Sequence, residues 1–305
     1  MATYFFALSP IIALIVLGHI LKHIDFIPNE AWAGIEKITY YILFPALLIN
    51  NLGNQSINGK PWQSIMIVTI GVLLITAIIL AITKPLLTEN NAFFTSIFQG
   101  GIRFNTYIMF AVAHALYGEQ GLEIGSVAAG FMIVLINLLC ILAFSIWGKD
   151  PFQGYQKVVK QLFANPLIIG CFIGWLLNLS GIGLSNLSSD ILEIIGQAAL
   201  PLGLLAVGAG LKLHTMQNHI GAISFASLAQ FVMKPLMAFL ITYWLGLDQI
   251  TTSVLIIAFT VPTASSSYIL ARQLGGDTEA MASIITAQTI LGFLLMPVIG
   301  ALLLS

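Results

Sequence analysis

The chain has 305 residues, of which 58% are hydrophobic and only 8% charged, and its net charge is −1. Soluble domains carry about 25% charged residues, so a surface this apolar belongs in lipid, and the missing basic balance excludes a nucleic-acid footprint. A helical span needs roughly 20 apolar residues, which leaves room for about ten spans and short connections but for no separate soluble domain.

The first apolar run, 4–22, has no basic region ahead of it and no small-residue cleavage motif. It reads as a span rather than a removed signal peptide. Further spans are predicted at 35–51, 62–83, 92–117 and 123–147, then at 165–180, 190–211, 220–245, 250–272 and 279–303. The runs are too long for barrel strands. The second is the least apolar, because it opens with Glu36 and Lys37. Between the fifth and sixth spans lies a polar stretch, 148–164, carrying Lys149, Lys157 and Lys160. It reads as a short cytoplasmic linker between two five-helix units, 1–147 and 165–305. Cys140 and Cys171 both sit inside apolar runs, which suits packing rather than a disulfide or a metal site.

Basic residues orient the chain. Odd-numbered connections hold Lys22, Lys37, Lys84, Lys149, Lys157, Lys160, Lys212 and Arg272, and even-numbered ones hold only Lys60. The odd connections are therefore expected in the cytoplasm and both termini on the periplasmic side of a bacterial inner membrane.

The two halves resemble each other. A shift of 156 residues carries Ser9 and Pro10 onto Asn165 and Pro166, Gly18 onto Gly174, and Pro45 onto Pro201, without a gap. Near a shift of 161, Asn105 and Thr106 fall on Ser266 and Ser267, and Tyr107 falls on Tyr268. Each half holds an odd number of spans, so the second must enter the membrane inverted. Inverted repeats are a transporter signature.

Two spans carry interruptions at corresponding places. Gly100 and Gly101 are expected to weaken the fourth, and Pro262 removes a backbone donor from the ninth. Backbone groups freed inside a bilayer must be satisfied by protein or by water in a cavity, so the paired breaks mark a candidate substrate site whose half-helix N-termini attract an anion. Arg103 lies at the first break between apolar stretches, where a cation is costly and needs a partner. Its planar fork suits a carboxylate; a structural clamp or a snorkelling arginine is the plainer reading. Lys234, followed by Pro235 in the eighth span, is read as a structural or gating residue. Pro45 and Pro201 are read as kinks that shape the helices around the site. His114 is expected to be a packed histidine rather than a proton relay.

No acid falls at mid-membrane in this span assignment, unlike the pattern expected of a sodium/proton antiporter. No metal-binding helix motif, nucleophile elbow or phosphate loop is present, so neither an enzyme, a cofactor nor a metal is expected.

The stretch from Gly34 through Pro45 to Leu48 resembles the second span of the auxin efflux carrier family, in its bacterial branch. Gln99 to Tyr107 is similar to that family's fourth span, and Pro262 to Asp277 resembles its ninth most closely. The resemblance implies an all-α membrane fold of ten helices in two inverted repeats, shared with bile-acid symporters and sodium/proton antiporters. Spans one, two, six and seven would form a scaffold, and spans three to five and eight to ten a moving transport domain. Spans four and nine would cross at the substrate site, with Asn105 and Pro262 at the crossing and Thr263, Ser265 and Ser266 beside it. Thr106 and Tyr107 flank the first break.

The resemblance further implies transport of auxin-like or malate- and malonate-like carboxylates by alternating access, and a homodimer through the scaffold. The family's plant members have proline at both breaks, where this chain has Gly100 and Gly101 in the fourth span. Their long cytosolic loop shrinks here to the 148–164 linker. A proton- or sodium-coupled carrier on the same fold, and a non-transporting receptor or assembly subunit, are the competing readings.

Overall fold

The computed structural model describes residues 2–54, 61–88, 90–148 and 164–303, without the side chains of 2–5 and 213–215. Lys60 and most of the 148–164 linker, with its three lysines, lie outside the described residues. Among those described, the regular structure is entirely helical.

The first half holds α1 (Ala2–His23), α2 (Asn29–Ile38), α3 (Phe44–Asn54), α4 (Trp62–Leu87), α5 (Asn91–Ile102) and α6 (Thr106–Trp147). The second holds α7 (Pro166–Leu179), α8 (Asn186–Gln197), α9 (Ala199–Ala209), α10 (Ile220–Leu228), α11 (Lys234–Trp244), α12 (Gln249–Thr260), α13 (Ser266–Leu274) and α14 (Thr278–Leu303). Among the described residues seven helical stretches are long and apolar enough to cross a membrane, and α7 and α12 are shorter apolar helices. The chain is a multi-pass membrane protein.

Hydroxyl side chains inside these helices are satisfied within their own turn. Thr69, Thr76, Ser126, Thr260 and Thr289 each donate to the carbonyl four residues earlier, at 2.6–2.7 Å. This back-bonding lets polar residues reside in an apolar span without a bare donor. Asn90, Asn105, Asn165 and Asp248 accept amide N–H groups at the starts of α5, α6, α7 and α12, which covers part of each helix's orphan donor set.

Prolines account for most irregularities. Pro10 lies inside α1, and Ser9 Oγ donates to Phe6 O at 3.0 Å, the carbonyl that Pro10 leaves empty. Pro166, which the shift of 156 residues pairs with it, instead opens α7 behind the Asn165 cap, so the two prolines occupy different helix positions. A π-helical turn, Thr39–Leu43, precedes Pro45, and another, Ala229–Met233, precedes Pro235. In each, the missing proline N–H loosens the i→i−4 ladder. The predicted seventh span is divided at Ala198, three residues before Pro201, which then sits in the first turn of α9 where no N–H is missed. α6 is two helices meeting at Gly118, whose φ of 57° requires glycine.

Glycines set the closest helix pairs. α1 packs on α9 and α3 on α7. A Cβ at Gly18 would come within 2.1 Å of Leu205 O, and one at Gly208 within 1.8 Å of Ile15 O. A Cβ at Gly174 would stand 2.8 Å from Leu52 Cβ and 3.4 Å from Ile49 Cα. Bare backbone at these positions lets whole helices approach, the usual device where lipid offers no hydrophobic drive to association. α4, α5, α6 and α10 to α14 pack into a second group, which meets the first mainly through α6 and α14.

Two expectations need correction. Gly100 and Gly101 do not break their helix: α5 runs through them to Ile102. They bring α5 against its neighbours, since a Cβ at Gly100 would meet Ile284 at 2.6 Å and one at Gly101 would meet Leu80 at 3.0 Å. His114 is not packed. Its side chain is 48% exposed and lies 3.7 Å from Glu119 beside the Gly118 bend.

Replacing Gly208 with Leu should drive α1 from α9 and lower the Tm in detergent by about 5 °C or more. Gly221→Ala, whose methyl meets nothing within 4 Å, should cost no stability in the same thermal-unfolding measurement.

Candidate functional site

Both interrupted segments open in the core of the second group and lie against each other. α5 ends at Ile102, the chain is extended at Arg103 (ψ 160°) and at Asn105 (ψ 103°), and α6 starts at Thr106. α12 ends at Thr260, Val261 is extended (ψ 149°), and α13 starts at Ser266. The segments join directly, since Asn105 N–H donates to Pro262 O at 2.7 Å.

The remaining freed groups find partners on α14 and on the α10–α11 pair. Gln288 on α14 bridges the breaks: its Oε1 accepts from Thr263 N–H and its Nε2 donates to Gly100 O, each at 3.0 Å. Gln230, in the π-helical turn ahead of α11, donates to Val261 O. One turn on, the fully buried Lys234 donates to Ile102 O at 3.3 Å. An ammonium at the C-terminal end of α5 also meets the negative end of that helix's dipole. Thr263 Oγ1 donates to Gln99 O at 3.3 Å and lies 3.4 Å from Ser267 Oγ. These bonds satisfy much of the non-helical backbone without water.

The predicted site residues therefore divide. Asn105, Thr106, Pro262 and Thr263 are buried in the crossing itself, and the Asn105 side-chain oxygen is occupied in capping α6. Arg103, Tyr107, Ser265 and Ser266 line a cavity of about 470 Å³ between the two helix groups. Arg103 is 9% exposed, and its Nη2 donates to Ser266 Oγ at 3.1 Å. Its Nε and Nη1 have no hydrogen-bond partner beyond the neighbouring Cys140 thiol, a weak acceptor. No described carboxylate pairs with it: among the described residues the one ion pair is His114 with Glu119.

Tyr107 seals the cavity toward Phe44, with ring centroids 4.3 Å apart, and a Cβ at Gly203 would press on its ring at 2.9 Å. Pro45 stays with the first group, against Gly170, and Pro201 is exposed. Neither lines the cavity.

Several residues escaped the sequence reading. Glu36, Tyr40 and Lys212 line the cavity, as does Tyr268, whose ring lies 4.7 Å from Lys212 Nζ. Gln230 and Gln288 hold the crossing. Their signal was present: each is an amide within an otherwise apolar span, and polar groups in lipid need a named partner. Replacing Gln288 with Leu should unpair Thr263 N–H and Gly100 O together and cost about 2–5 kcal/mol of stability. Gln288→Glu keeps the acceptor and should fall between, both read by thermal unfolding of the purified chain.

Residues 151–300 match the profile of a family described as membrane transport protein. Full-length relatives agree. An "Uncharacterized transporter" of Methanothermobacter thermautotrophicus is 20% identical over 94% of both chains. A protein of Rhizobium meliloti named "Putative malonate transporter" is 21% identical over 92% of this chain and 90% of its own. An "Uncharacterized transporter" of Methanocaldococcus jannaschii is 20% identical over 97% of both chains. The second half of the chain thus matches the membrane transport protein family, and relatives named as transporters align along its whole length.

Proposed function

We propose that this protein carries small organic carboxylates across the membrane by alternating access, on ten spans arranged as two inverted repeats. The observation that carries the proposal is Arg103: a guanidinium with no carboxylate partner, at the crossing of two interrupted helices and on the wall of a 470 Å³ cavity. A cation in such surroundings calls for an anion, and its fork suits a carboxylate. Ser265, Ser266 and Tyr107 supply hydroxyls beside it. The start of α13 points toward the same space with the positive end of its dipole.

Ten spans are favoured over seven because the apolar stretch Asn91–Trp147 holds 57 residues, about 85 Å of helix against a core of about 30 Å. It folds back at Gly118. The repeat is supported by packing. Gly18 abuts Leu205, and at a shift of 156 Gly174 abuts Ile49. The contacts of α1 with α9 and of α3 with α7 are then one contact seen twice. So are those of α4 with α6 and of α10 with α14.

On this reading α1 to α3 and α7 to α9 form the scaffold and the other helices the transport domain, with the cavity between them. Its mouth holds Glu36, Asn165, Lys212 and Gln273, all at the lysine-rich ends of their spans, which supports reading this conformation as open to the cytoplasm and closed on the outer side. A dimer through the scaffold belongs to the same proposal. A carrier coupled to sodium or protons is the competing reading; no described residues form a cluster of metal-binding side chains, and uptake with and without each gradient separates the two.

Arg103→Ala should abolish carboxylate flux in proteoliposomes while the Tm stays within a few degrees, and Arg103→Lys should retain a small fraction. Unchanged flux removes Arg103 from the site. A Gln273→Cys thiol should label from the cytoplasmic side, and a Glu119→Cys thiol from the outside; the native Cys140 and Cys171 are buried.

A further inference from the structure

We infer that Glu36 makes this cavity select singly charged carboxylates over dicarboxylates. The inference rests on the proposed carboxylate site and adds its substrate class. Glu36 counted against its span in the sequence, yet it lines the cavity that Arg103 lines. It sits one turn ahead of Tyr40 on the same face of the chain, and Tyr40 lines the same space. Its carboxylate makes no ion pair among the described residues: the cation acting on it is Lys22, and Lys22 Nζ donates to Asn29 Oδ1. Among the described residues the charged side chains of the lining are thus Arg103, Lys212 and Glu36, a net charge of +1.

One carboxylate offered to Arg103 completes the neutralisation. A second carboxylate on the same small molecule meets no further buried cation among the described residues, Lys212 being exposed over the Tyr268 ring, and must share the cavity with the negative Glu36. Like charges across a partly desolvated space repel strongly, and such repulsion is an efficient source of selectivity. The rest of the lining suits the remainder of a monoacid. Tyr40, Tyr41, Tyr107 and Tyr268 offer aromatic faces and phenol groups, which pack against an apolar body and donate hydrogen bonds to a neutral polar one.

The test compares acids that differ by one carboxylate, benzoate with phthalate and propionate with malonate, at mildly alkaline pH where the diacids are doubly charged. Dissociation constants are read from ligand-dependent thermal shifts of the full chain. The wild-type chain should bind each monoacid more tightly than its diacid. Glu36→Gln should tighten diacid binding about tenfold more than it tightens monoacid binding, whereas Glu36→Asp should keep the wild-type preference.

Wild-type binding of the diacids as tight as that of the monoacids overturns the inference. So does an unchanged ratio in a folded Glu36→Gln chain. If that ratio is unchanged while Arg103→Ala abolishes binding of both acids, the selectivity fails and the carboxylate site stands. If Arg103→Ala leaves both affinities intact, or the wild-type chain binds none of the four, the site itself fails and the inference with it.

Discussion

Backbone amides and carbonyls that leave a helix inside hydrocarbon must be paired, because each unpaired group costs several kcal/mol there. The core of this protein is organised around that constraint. Two helices stop short, at Ile102 and Thr260, and their loose ends are joined by one direct bond, Asn105 to Pro262. Gln230, Lys234, Gln288 and Thr263 close most of the remaining bonds. All four belong to the second half of the chain. From the first half, the Asn105 side chain adds the cap that starts α6.

Once the crossing is held by protein, the cavity beside it is free for a ligand. Asn105 and Thr263 are bound into structure, so the polar groups facing the space are those of Arg103, Asn137, the serines at the start of α13 and the tyrosines, with Glu36, Asn165, Lys212 and Gln273 at its mouth. Among the described residues the arginine is the one buried cation on the cavity wall, and no described carboxylate neutralises it. Lys234, equally deep, meets the carbonyl end of α5 instead. Two buried cations in one span region thus have different roles, decided by what lies opposite each.

The same economy of contact governs the helices around the site. Gly18, Gly174 and Gly208 allow backbone-to-backbone approach within the first helix group, making it a rigid frame. Contacts between the groups are fewer and run through aromatic surfaces, such as Tyr107 on Phe44.

The sequence by itself determined the membrane setting, the helical class and most helix positions, because hydropathy and length are local properties of the chain. It located the ninth-span break through Pro262, whose effect on its helix is covalent, and it singled out Arg103 because a cation in an apolar run needs no neighbours to be conspicuous. It misjudged Gly100 and Gly101, since glycine serves equally as a helix breaker and as a contact point, and only Ile284 and Leu80 opposite decide which. Glu36 was read as the polar end of a span for the same reason. Its place on the cavity wall depends on α13 and α14, contributed from more than 200 residues away. The partition of Asn105 and Thr263 into the crossing, and of Arg103 and Ser266 onto the cavity wall, likewise arose only when the two interrupted helices were packed together. Hydrogen-bond partners distant in sequence carry no local signature.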